Sequence, residues 1–388
     1  MSIHQPRHAA HGAIPVVGMV GAGQLARMTQ QAAVDLGLRL LVLARQEDEP
    51  AAEAGARILL GEPDDPRALE RLAAASHVVT FDHELVPAAL AVALAARGAL
   101  VRPRGEALLY AQDKLLARRR FAEAGLPVPA FAPLGADAAG DLRRFVAQNG
   151  WPVVIKARSG GYDGRGVAVA ADAGEARAFI ERTAGVGLLV EAHIDLAAEA
   201  ALVGVRSASG AWAAYPLVET RQVDGICREL VMPARLDAAV QAAAEGLARS
   251  IAEAIDAVGI IAVELFVTRA GRLVVNEIAL RPHNSGHATI EGAATSQFEN
   301  HLRAVLGWPL GDTTMRAPAA AMVNILGGAD AVDPRSRLAE ALSVRGASVH
   351  LYGKAARPGR KVGHVTALGA DAEQALRTAR RCAALLGG

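Results

Sequence analysis

Residues 273–287, LVVNEIALRPHNSGH, begin as an apolar strand and then become dense in side chains that bind ligands. A second apolar run, GIIAVELFV at 259–267, precedes them, and the segment TRAGR joins the two. Two apolar runs joined by a short turn that contains glycine are typical of a β-hairpin. The sequence therefore predicts a hairpin whose second strand leads directly into a polar segment.

Two glutamates of this hairpin are candidate metal ligands. If it folds symmetrically about Ala270 and Gly271, Glu264 and Glu277 lie directly opposite each other, with Cβ atoms about 5 Å apart. Carboxylates so placed repel each other, and a divalent cation between them and a phosphate would explain the arrangement. Mg²⁺ is typically bound by one or two carboxylates together with phosphate oxygens. Two alternatives stay open: edge-strand glutamates that face water, and a one-residue register slip that puts the acids on opposite faces.

Composition limits the class of protein. A chain of 388 residues with 52% apolar residues has room for about two to three domains. Its net charge of +1 gives no overall attraction to nucleic acid or membrane. Cys227 and Cys382 lie too far apart for a metal motif or a disulfide framework. Without a long apolar run or a signal-peptide pattern, we expect a cytoplasmic protein with a flexible tail over residues 1–13.

A glycine-rich turn lies near the start of the chain. The apolar strand 16–20 leads into GAGQLA at 21–26, which opens a helix and directs N–H groups and a helix dipole toward an anion. The turn also matches the dinucleotide fingerprint, although Arg45 stands where an enzyme that uses NAD has an acid. A phosphate site and a structural turn are the alternatives. The acids at 82–84 follow the next strand, where they either contact a ligand or cap a helix.

A second glycine-rich segment, SGGYDGRG at 159–166, lies between two predicted strands, 151–156 and 167–169. Its N–H groups can surround phosphates, with charge from Lys156 and Arg165, and an ordinary hairpin loop is the alternative. Upstream of it, the pattern predicts one helix over 110–124. Downstream, it predicts strands at 200–205 and 211–218, with Gln222 in the loop that follows.

Near the C-terminus, KAARPGRKVGH at 354–364 carries five basic side chains. Arginine forks are natural partners for a sugar phosphate, and a solvated turn is the alternative. Strands at 320–326 and 348–352 predict that this segment belongs to a small third domain.

Together these motifs resemble the ATP-grasp superfamily and, within it, the family that makes 5-(carboxyamino)imidazole ribonucleotide. The matching segments are GAGQL at 21–25, GGYDGRG at 160–166, NE at 276–277, RPHNSGH at 281–287 and RPGRKVGH at 357–364. The resemblance implies an α/β and α+β fold in three parts. These are an N-terminal doubly wound parallel-sheet (pre-ATP-grasp) domain over 14–110, an ATP-grasp domain of two subdomains over 111–316, and a small C-terminal β-rich domain over 317–388.

The resemblance also implies an activity. A member of this family is a ligase of purine biosynthesis that uses ATP and bicarbonate to carboxylate aminoimidazole ribonucleotide through carboxyphosphate. Two Mg²⁺ ions, replaceable by Mn²⁺, are the implied metals. The implied partners are these small molecules and a second subunit of a homodimer, without nucleic acid or membrane.

The implied site residues fall into four groups. Metal ligands are Glu264 and Glu277. Nucleotide contacts are Lys114, Lys156, Gly161, Tyr162, Asp163, Gly164, Arg165, Gly166, Val167, Glu191, Ala192, His193, Ile194, Glu199, Gln222, Asn276 and Glu277. Substrate contacts are Gly23, Gln24, Leu25, Glu84, Asn284, Ser285, Lys354, Arg357 and Arg360. Catalytic candidates are Tyr162, Asp163, Arg165, Arg281, His283 and Lys354, with Asp163 and His283 both candidates for handling the amine proton.

Several positions depart from the family pattern, among them Ala26, Leu280, the segment 82–84 and two predicted nucleotide contacts. Lys114 stands where arginine is common, which keeps the charge but loses the planar fork, and Gln222 stands where a histidine is common. Three rival functions remain for comparison. They are formate-dependent glycinamide ribonucleotide transformylase, an NAD(P) oxidoreductase built on the first glycine turn, and a non-catalytic nucleotide-binding regulator.

Overall fold

A computed structural model describes residues 14–160, 166–328 and 331–387; the tail expected over 1–13 lies outside these ranges. The strands are β1 (Val16–Val20), β2 (Arg39–Ala44), β3 (Arg57–Leu60), β4 (Val78–Phe81), β5 (Phe131–Leu134), β6 (Val153–Ala157), β7 (Val167–Ala170), β8 (Leu188–Ala192), β9 (Leu196–Arg206), β10 (Trp212–Ala214), β11 (Val218–Val223), β12 (Ile226–Met232), β13 (Gly259–Thr268), β14 (Leu273–Ala279), β15 (Ala319–Leu326), β16 (Ala347–Leu351) and β17 (Lys361–Gly369). The helices are α1 (Gln24–Asp35), α2 (Pro50–Glu53), α3 (Pro66–Ala74), α4 (Ala88–Ala96), α5 (Gly105–Gln112), α6 (Lys114–Glu123), α7 (Ala138–Asn149), α8 (Ala173–Arg182), α9 (Ala238–Ala254), α10 (Thr289–Gly292), α11 (Gln297–Leu306), α12 (Leu338–Ala341) and α13 (Ala372–Leu385).

The N-terminal region is a parallel sheet with strand order β3-β2-β1-β4. Successive side chains of a strand point to opposite faces, and both faces of this sheet are apolar. Met19 packs with Leu25 of α1 on one face, and Val20 packs with Leu69 of α3 on the other. Helices on both faces of a parallel sheet confirm the expected doubly wound domain.

The part of the chain that the structure describes contains two further sheets, both antiparallel. A four-stranded sheet has the order β5-β8-β6-β7 and packs against α7 and α8. A larger sheet has the order β14-β13-β9-β11-β12-β15-β17-β16, with β10 paired to β9. Because β12 pairs directly with β15, the C-terminal strands extend this sheet instead of forming one of their own. Within the described ranges, no helix is both long and apolar enough to cross a membrane.

The predicted hairpin is formed by β13 and β14, and Glu264 lies directly opposite Glu277. The expected pairing of the two acids is therefore confirmed, but not the expected reason for it. Between the turn and the pair Leu265–Val275, the residues pair symmetrically about Ala270. The expected point of symmetry was midway between Ala270 and Gly271. A β-bulge between Leu265 and Glu264 adds Asn276 to β14 and shifts the register by one residue.

Three secondary-structure predictions were wrong. The single helix expected over 110–124 is two helices, because Asp113 adopts an extended backbone and its carboxylate accepts the N–H groups of Leu115 and Leu116 as the N-cap of α6. The strand expected over 211–218 is interrupted, because Pro216 lacks an N–H for the ladder.

The position of Gln222 also differs from the prediction, which placed it in a loop. It lies in β11, which forms a hairpin with β12 through the two-residue turn Asp224-Gly225. Both turn residues have positive φ, 52° and 73°, as this kind of tight hairpin requires. Gln222 therefore sits on a strand of the large sheet, beside a register shift between Arg221 and Gln222.

Candidate active site

A cleft of about 440 Å³ separates the four-stranded sheet from the large sheet. Strands β6, β7 and β8 form one wall, and β9, β11, β13 and β14 form the other. Most of the predicted nucleotide and metal residues line it. They are Lys114, Lys156, Val167, Glu191, Ala192, His193, Ile194, Glu199, Gln222, Glu264, Asn276 and Glu277, joined by His283, Asn284 and Ser285.

The acid pair, Glu264 and Glu277, lies in the wall of this cleft. Lys114 Nζ is 3.3 Å from Glu277 Oε1, and His283 Nε2 is 3.5 Å from Glu264 Oε1. Burial and the charges of Glu277 and Glu199 raise the pKa of Glu264 to about 7. The acid pair thus holds more negative charge than its neighbours compensate, which is the condition that a bound cation relieves.

A second group of charges, which we call the buried clamp, consists of Arg118, Lys156, Glu191 and Asn276. Arg118 Nε donates to Glu191 Oε1 at 2.6 Å, and Lys156 Nζ lies 2.8 Å from Glu191 Oε2. Lys156 also donates to Asn276 Oδ1 at 3.0 Å. Burial acts to raise the pKa of Glu191, but the charges and hydrogen bonds of Arg118 and Lys156 outweigh it, and the pKa is lowered. Glu191 is therefore ionised, with both oxygens engaged.

His283 links the acid pair to the polar segment that follows β14. Its Nδ1 accepts the backbone N–H of Ser285 at 3.3 Å and lies 2.8 Å from Ser285 Oγ. Because a backbone N–H can only donate, the neutral ring carries its proton on Nε2, facing Glu264. Burial, with the charges of Arg281 and Lys361, lowers the pKa of His283 to about 3. The ring is uncharged at neutral pH.

The donor set of the cleft fits a hard divalent cation. Glu264 and Glu277 offer carboxylate oxygens, and Asn276 Nδ2, 3.5 Å from Glu264 Oε2, places an amide beside them. Among the described residues no cluster of three or more His, Cys, Asp or Glu side chains could hold a metal by itself. Two carboxylates with the remaining positions taken by phosphate oxygens are typical of Mg²⁺. Bound Mg²⁺ would be held by Glu264 and Glu277.

Several predicted substrate residues lie outside the walls of the cleft, in cross-links between distant segments. Arg281 Nε donates to Glu84 Oε2 at 2.9 Å, and Lys354 Nζ donates to Gln24 Oε1 at 2.6 Å. Leu25 is buried in the core of the N-terminal domain, whereas Arg357 and Arg360 are exposed. Their substrate roles stay predictions.

The first glycine turn is already occupied by a side chain of the protein. Asp82 Oδ2 accepts the N–H of Gly23 at 2.8 Å, and a Cβ on Gly21 would overlap the same carboxylate. Gly21 also has a φ of 103°, which favours glycine. An internal carboxylate at this helix N-terminus takes the place of an external anion, which argues against a dinucleotide there.

Family models match three consecutive parts of the chain. A ribonucleotide synthetase preATP-grasp domain matches residues 14–112, and an ATP-grasp domain matches 119–298. A phosphoribosylaminoimidazole carboxylase C-terminal domain matches 320–378. The N5-carboxyaminoimidazole ribonucleotide synthase of Mycobacterium tuberculosis (strain ATCC 25618 / H37Rv) is 48% identical over 366 residues, which cover 93% of this chain and 85% of that protein.

The chain belongs to the N5-carboxyaminoimidazole ribonucleotide synthase family. The crystal structure of a member from Thermus thermophilus is 39% identical, with a TM-score of 0.84 over 95% of this chain and 97% of that one. A member from Aspergillus clavatus, solved in complex with ADP and 5-aminoimidazole ribonucleotide, is 32% identical, with a TM-score of 0.89 over 96% and 98%. Membership of the N5-carboxyaminoimidazole ribonucleotide synthase family makes this chain an ATP-grasp ligase, and ATP-grasp enzymes use ATP and a divalent metal.

Part of the glycine-rich motif by which the chain resembles the N5-carboxyaminoimidazole ribonucleotide synthase family lies outside the described residues. This part comprises Gly161, Tyr162, Asp163, Gly164 and Arg165, whose predicted roles stay predictions. Gly166 is described: its carbonyl accepts the N–H of Ala157 at 2.7 Å and closes the base of the predicted hairpin between β6 and β7.

Three residues that contribute to the site were not among the site residues predicted from the sequence. Arg118 joins the buried clamp, Lys361 lines the cleft, and Gln297 bonds both the N–H and the carbonyl of His283. Arg118 lies four residues after Lys114, so both occupy one helix face, and this spacing was an available signal. Gln297 had none, because its contact with His283 depends on tertiary packing.

Proposed function

We propose that this chain catalyses the ATP-dependent carboxylation of 5-aminoimidazole ribonucleotide with bicarbonate, giving ADP, phosphate and N5-carboxyaminoimidazole ribonucleotide. The observation that carries the proposal is the acid pair, opposed in a cleft that three lysines, Lys114, Lys156 and Lys361, also line. Carboxylates that bind a cation, beside ammonium groups that bind phosphates, suit phosphoryl transfer from a nucleotide. Membership of the family supports the identity of the other two substrates.

Bicarbonate must be activated before an amine can attack it, because direct attack would expel hydroxide. Transfer of the γ-phosphoryl group of ATP to a bicarbonate oxygen forms a P–O bond, breaks the bond to ADP and yields carboxyphosphate. The amine nitrogen then attacks the carbonyl carbon, a C–N bond forms, and the C–O bond to phosphate breaks. Phosphate leaves with the electron pair, and the amine loses one proton.

The residues of the cleft would neutralise charge along this path. Bound Mg²⁺ would supply charge neutralisation on the phosphates of ATP. Lys156 lines the cleft, and Glu191 and Asn276 hold its ammonium group in one position, so it would be ordered before a phosphate binds. Lys114, at the first turn of α6, reaches Glu277 and the same space.

Of the two candidates for the amine proton, Asp163 is favoured over His283. The Nδ1 atom of His283 already accepts the N–H of Ser285, and its Nε2 carries the proton. A ring with its pKa lowered to about 3 is also a weak base. His283 would instead donate from Nε2 to Glu264 and hold that carboxylate in position.

We assign recognition of the ribonucleotide to the cross-links beside the cleft. Lys354 with Gln24, and Arg281 with Glu84, join distant segments, and Arg357 and Arg360 add exposed guanidinium groups that suit a phosphate. The proposal also includes two Mg²⁺ ions replaceable by Mn²⁺, a homodimer and a cytoplasmic location, with the family resemblance as their support.

ADP release measured in a coupled assay tests the proposal. We expect bicarbonate and 5-aminoimidazole ribonucleotide together to give ADP in amounts equal to the carboxylated product. Formate with glycinamide ribonucleotide should give none. Release of ADP with the formate pair alone would instead support the transformylase, and no release with either pair would contradict a ligase function.

A further inference from the structure

Arg118 is one of the largest fully buried side chains among the described residues, with a relative exposure of 2%. A buried guanidinium needs partners for its charge and its donors. Its Nε donates to Glu191 Oε1 and its Nη2 donates to the backbone carbonyl of Asn276, both at 2.6 Å. One planar group therefore bridges two acceptors from different strands.

The two acceptors belong to opposite walls of the cleft. Glu191 lies on β8 of the four-stranded sheet, and Asn276 lies on β14 of the large sheet. Helix α6, which carries Arg118, packs through Ala117 and Phe121 into the core of the large sheet. Arg118 thus links three elements around the nucleotide cleft.

Asn276, whose carbonyl accepts the hydrogen bond from Arg118, is the extra residue of the bulge in β14. Without the bulge, the register of Leu265 with Val275 would continue and place Glu264 opposite Asn276 and Glu277 opposite Val263. Glu277 would then point to the other face of the sheet, away from Glu264. The bulge is therefore what brings both carboxylates into the cleft.

Two contacts of the buried clamp hold this bulge. A bulge leaves its extra residue outside the regular ladder, and here Arg118 supplies a charged donor to the carbonyl of Asn276. Lys156 holds the side chain of the same residue. The bonds oppose the like-charge repulsion that would otherwise favour separation of Glu264 and Glu277.

We infer that Arg118 is a positioning residue of the cation site: it fixes the bulge at Asn276 and thereby sets Glu277 opposite Glu264 for a divalent cation bound with nucleotide. The inference rests on the proposed function for the identity of that nucleotide. A merely structural role, in which Arg118 only neutralises Glu191, predicts lower stability without an effect on the cation.

The test is the affinity of the full chain for Mn²⁺ in the presence of ADP, measured by electron paramagnetic resonance titration. Arg118→Lys keeps the charge but loses the planar fork that reaches both acceptors. We expect Mn²⁺ to bind at least tenfold more weakly, and metal-free ADP to bind within threefold of the unaltered chain. Neither substrate nor turnover is involved, so a failed activity assay leaves this result readable.

Arg120→Lys is the matched control. Arg120 lies on the same helix and donates through two nitrogens to the carbonyl of Ala254, away from the cleft. We expect it to lower the urea midpoint without changing Mn²⁺ affinity. Unchanged Mn²⁺ affinity in Arg118→Lys would overturn the inference.

If Arg118→Lys does not fold, Arg118→Gln takes its place: it loses the fork that reaches both acceptors, while Lys156 still neutralises Glu191. The same tenfold weakening is then expected, and unchanged affinity overturns the inference in the same way.

Discussion

The single carboxylate of the buried clamp and the two carboxylates of the acid pair lie in one cleft and differ in how their charge is compensated. In the buried clamp, Glu191 has an exposure of 2%, and each of its oxygens lies within 2.8 Å of a cationic nitrogen. In the acid pair, Glu264 and Glu277 face each other, and the lysine and histidine beside them lie at 3.3 and 3.5 Å. The pKa of Glu191 is lowered, whereas that of Glu264 is raised to about 7.

The difference separates a carboxylate that organises a site from carboxylates that bind a ligand. A buried ion whose partners are all internal is costly to leave unpaired, and it cannot gain much from a further cation. Two carboxylates that repel each other are stabilised further when a cation binds between them, so their charge favours binding of a ligand. Three substitutions test whether the two groups behave this differently.

The largest expected effect is that of Glu277→Gln on turnover. Loss of one anionic ligand weakens the cation that neutralises the transferring phosphoryl group, so we expect kcat to fall at least a thousandfold, about 4 kcal/mol. The rate of ADP release measures it. Glu219→Gln, on β11 of the same sheet, is the control and should keep kcat within twofold; an equal loss there would remove the distinction.

A smaller effect is expected from Glu191→Gln on stability. Removing this anion leaves Arg118 and Lys156 buried without their counter-charge, which costs about 3 kcal/mol. The free energy of unfolding in urea measures it. Glu264→Gln relieves repulsion and should not lower that free energy in metal-free buffer; equal destabilisation by both would mean that the two groups do not differ.

The smallest expected effect is a pH dependence in metal-free protein. The unfolded Glu264 ionises near its usual pKa, whereas the folded protein keeps that proton until about pH 7. Folding therefore takes up a proton, and the free energy of unfolding falls as pH rises between these values, levelling above pH 7. Because the side chain is 35% exposed, we expect only about 1 kcal/mol.

Glu264→Gln removes this contribution, so its stability advantage over the unaltered chain should grow from pH 5 to pH 7 in urea unfolding. The lowered pKa of Glu191 acts in the opposite direction: its contribution is present above the usual pKa and is lost as pH falls through the folded value. A constant advantage at all pH values would contradict the raised pKa of Glu264.

The paired acids were predictable because two apolar runs around a glycine turn permit few registers. The bulge was not predictable, since a symmetric hairpin about Ala270 and Gly271 gives the same pairing of Glu264 with Glu277 for another reason. Whether an extra residue is accommodated depends on donors such as Arg118, which come from distant elements. Local pattern cannot supply that information.

Other differences have different physical origins. The Asp224-Gly225 dipeptide is a strong local hairpin signal, and it would have placed Gln222 on a strand. By contrast, the pattern of the first glycine turn was read correctly as a strand, turn and helix, yet its anion is Asp82 from the end of β4. A motif shows that an anion suits the turn; only the fold shows which anion it is.

The predicted domain boundary at residue 316 does not separate two sheets, because β12 on one side of it pairs directly with β15 on the other. Cutting the chain there would strip β12 of its neighbour and expose a row of unpaired N–H and C=O groups to other molecules. A fragment that ends at 316 would thus offer a template for aggregation. The three C-terminal strands act as the cover for that edge, whatever else they recognise.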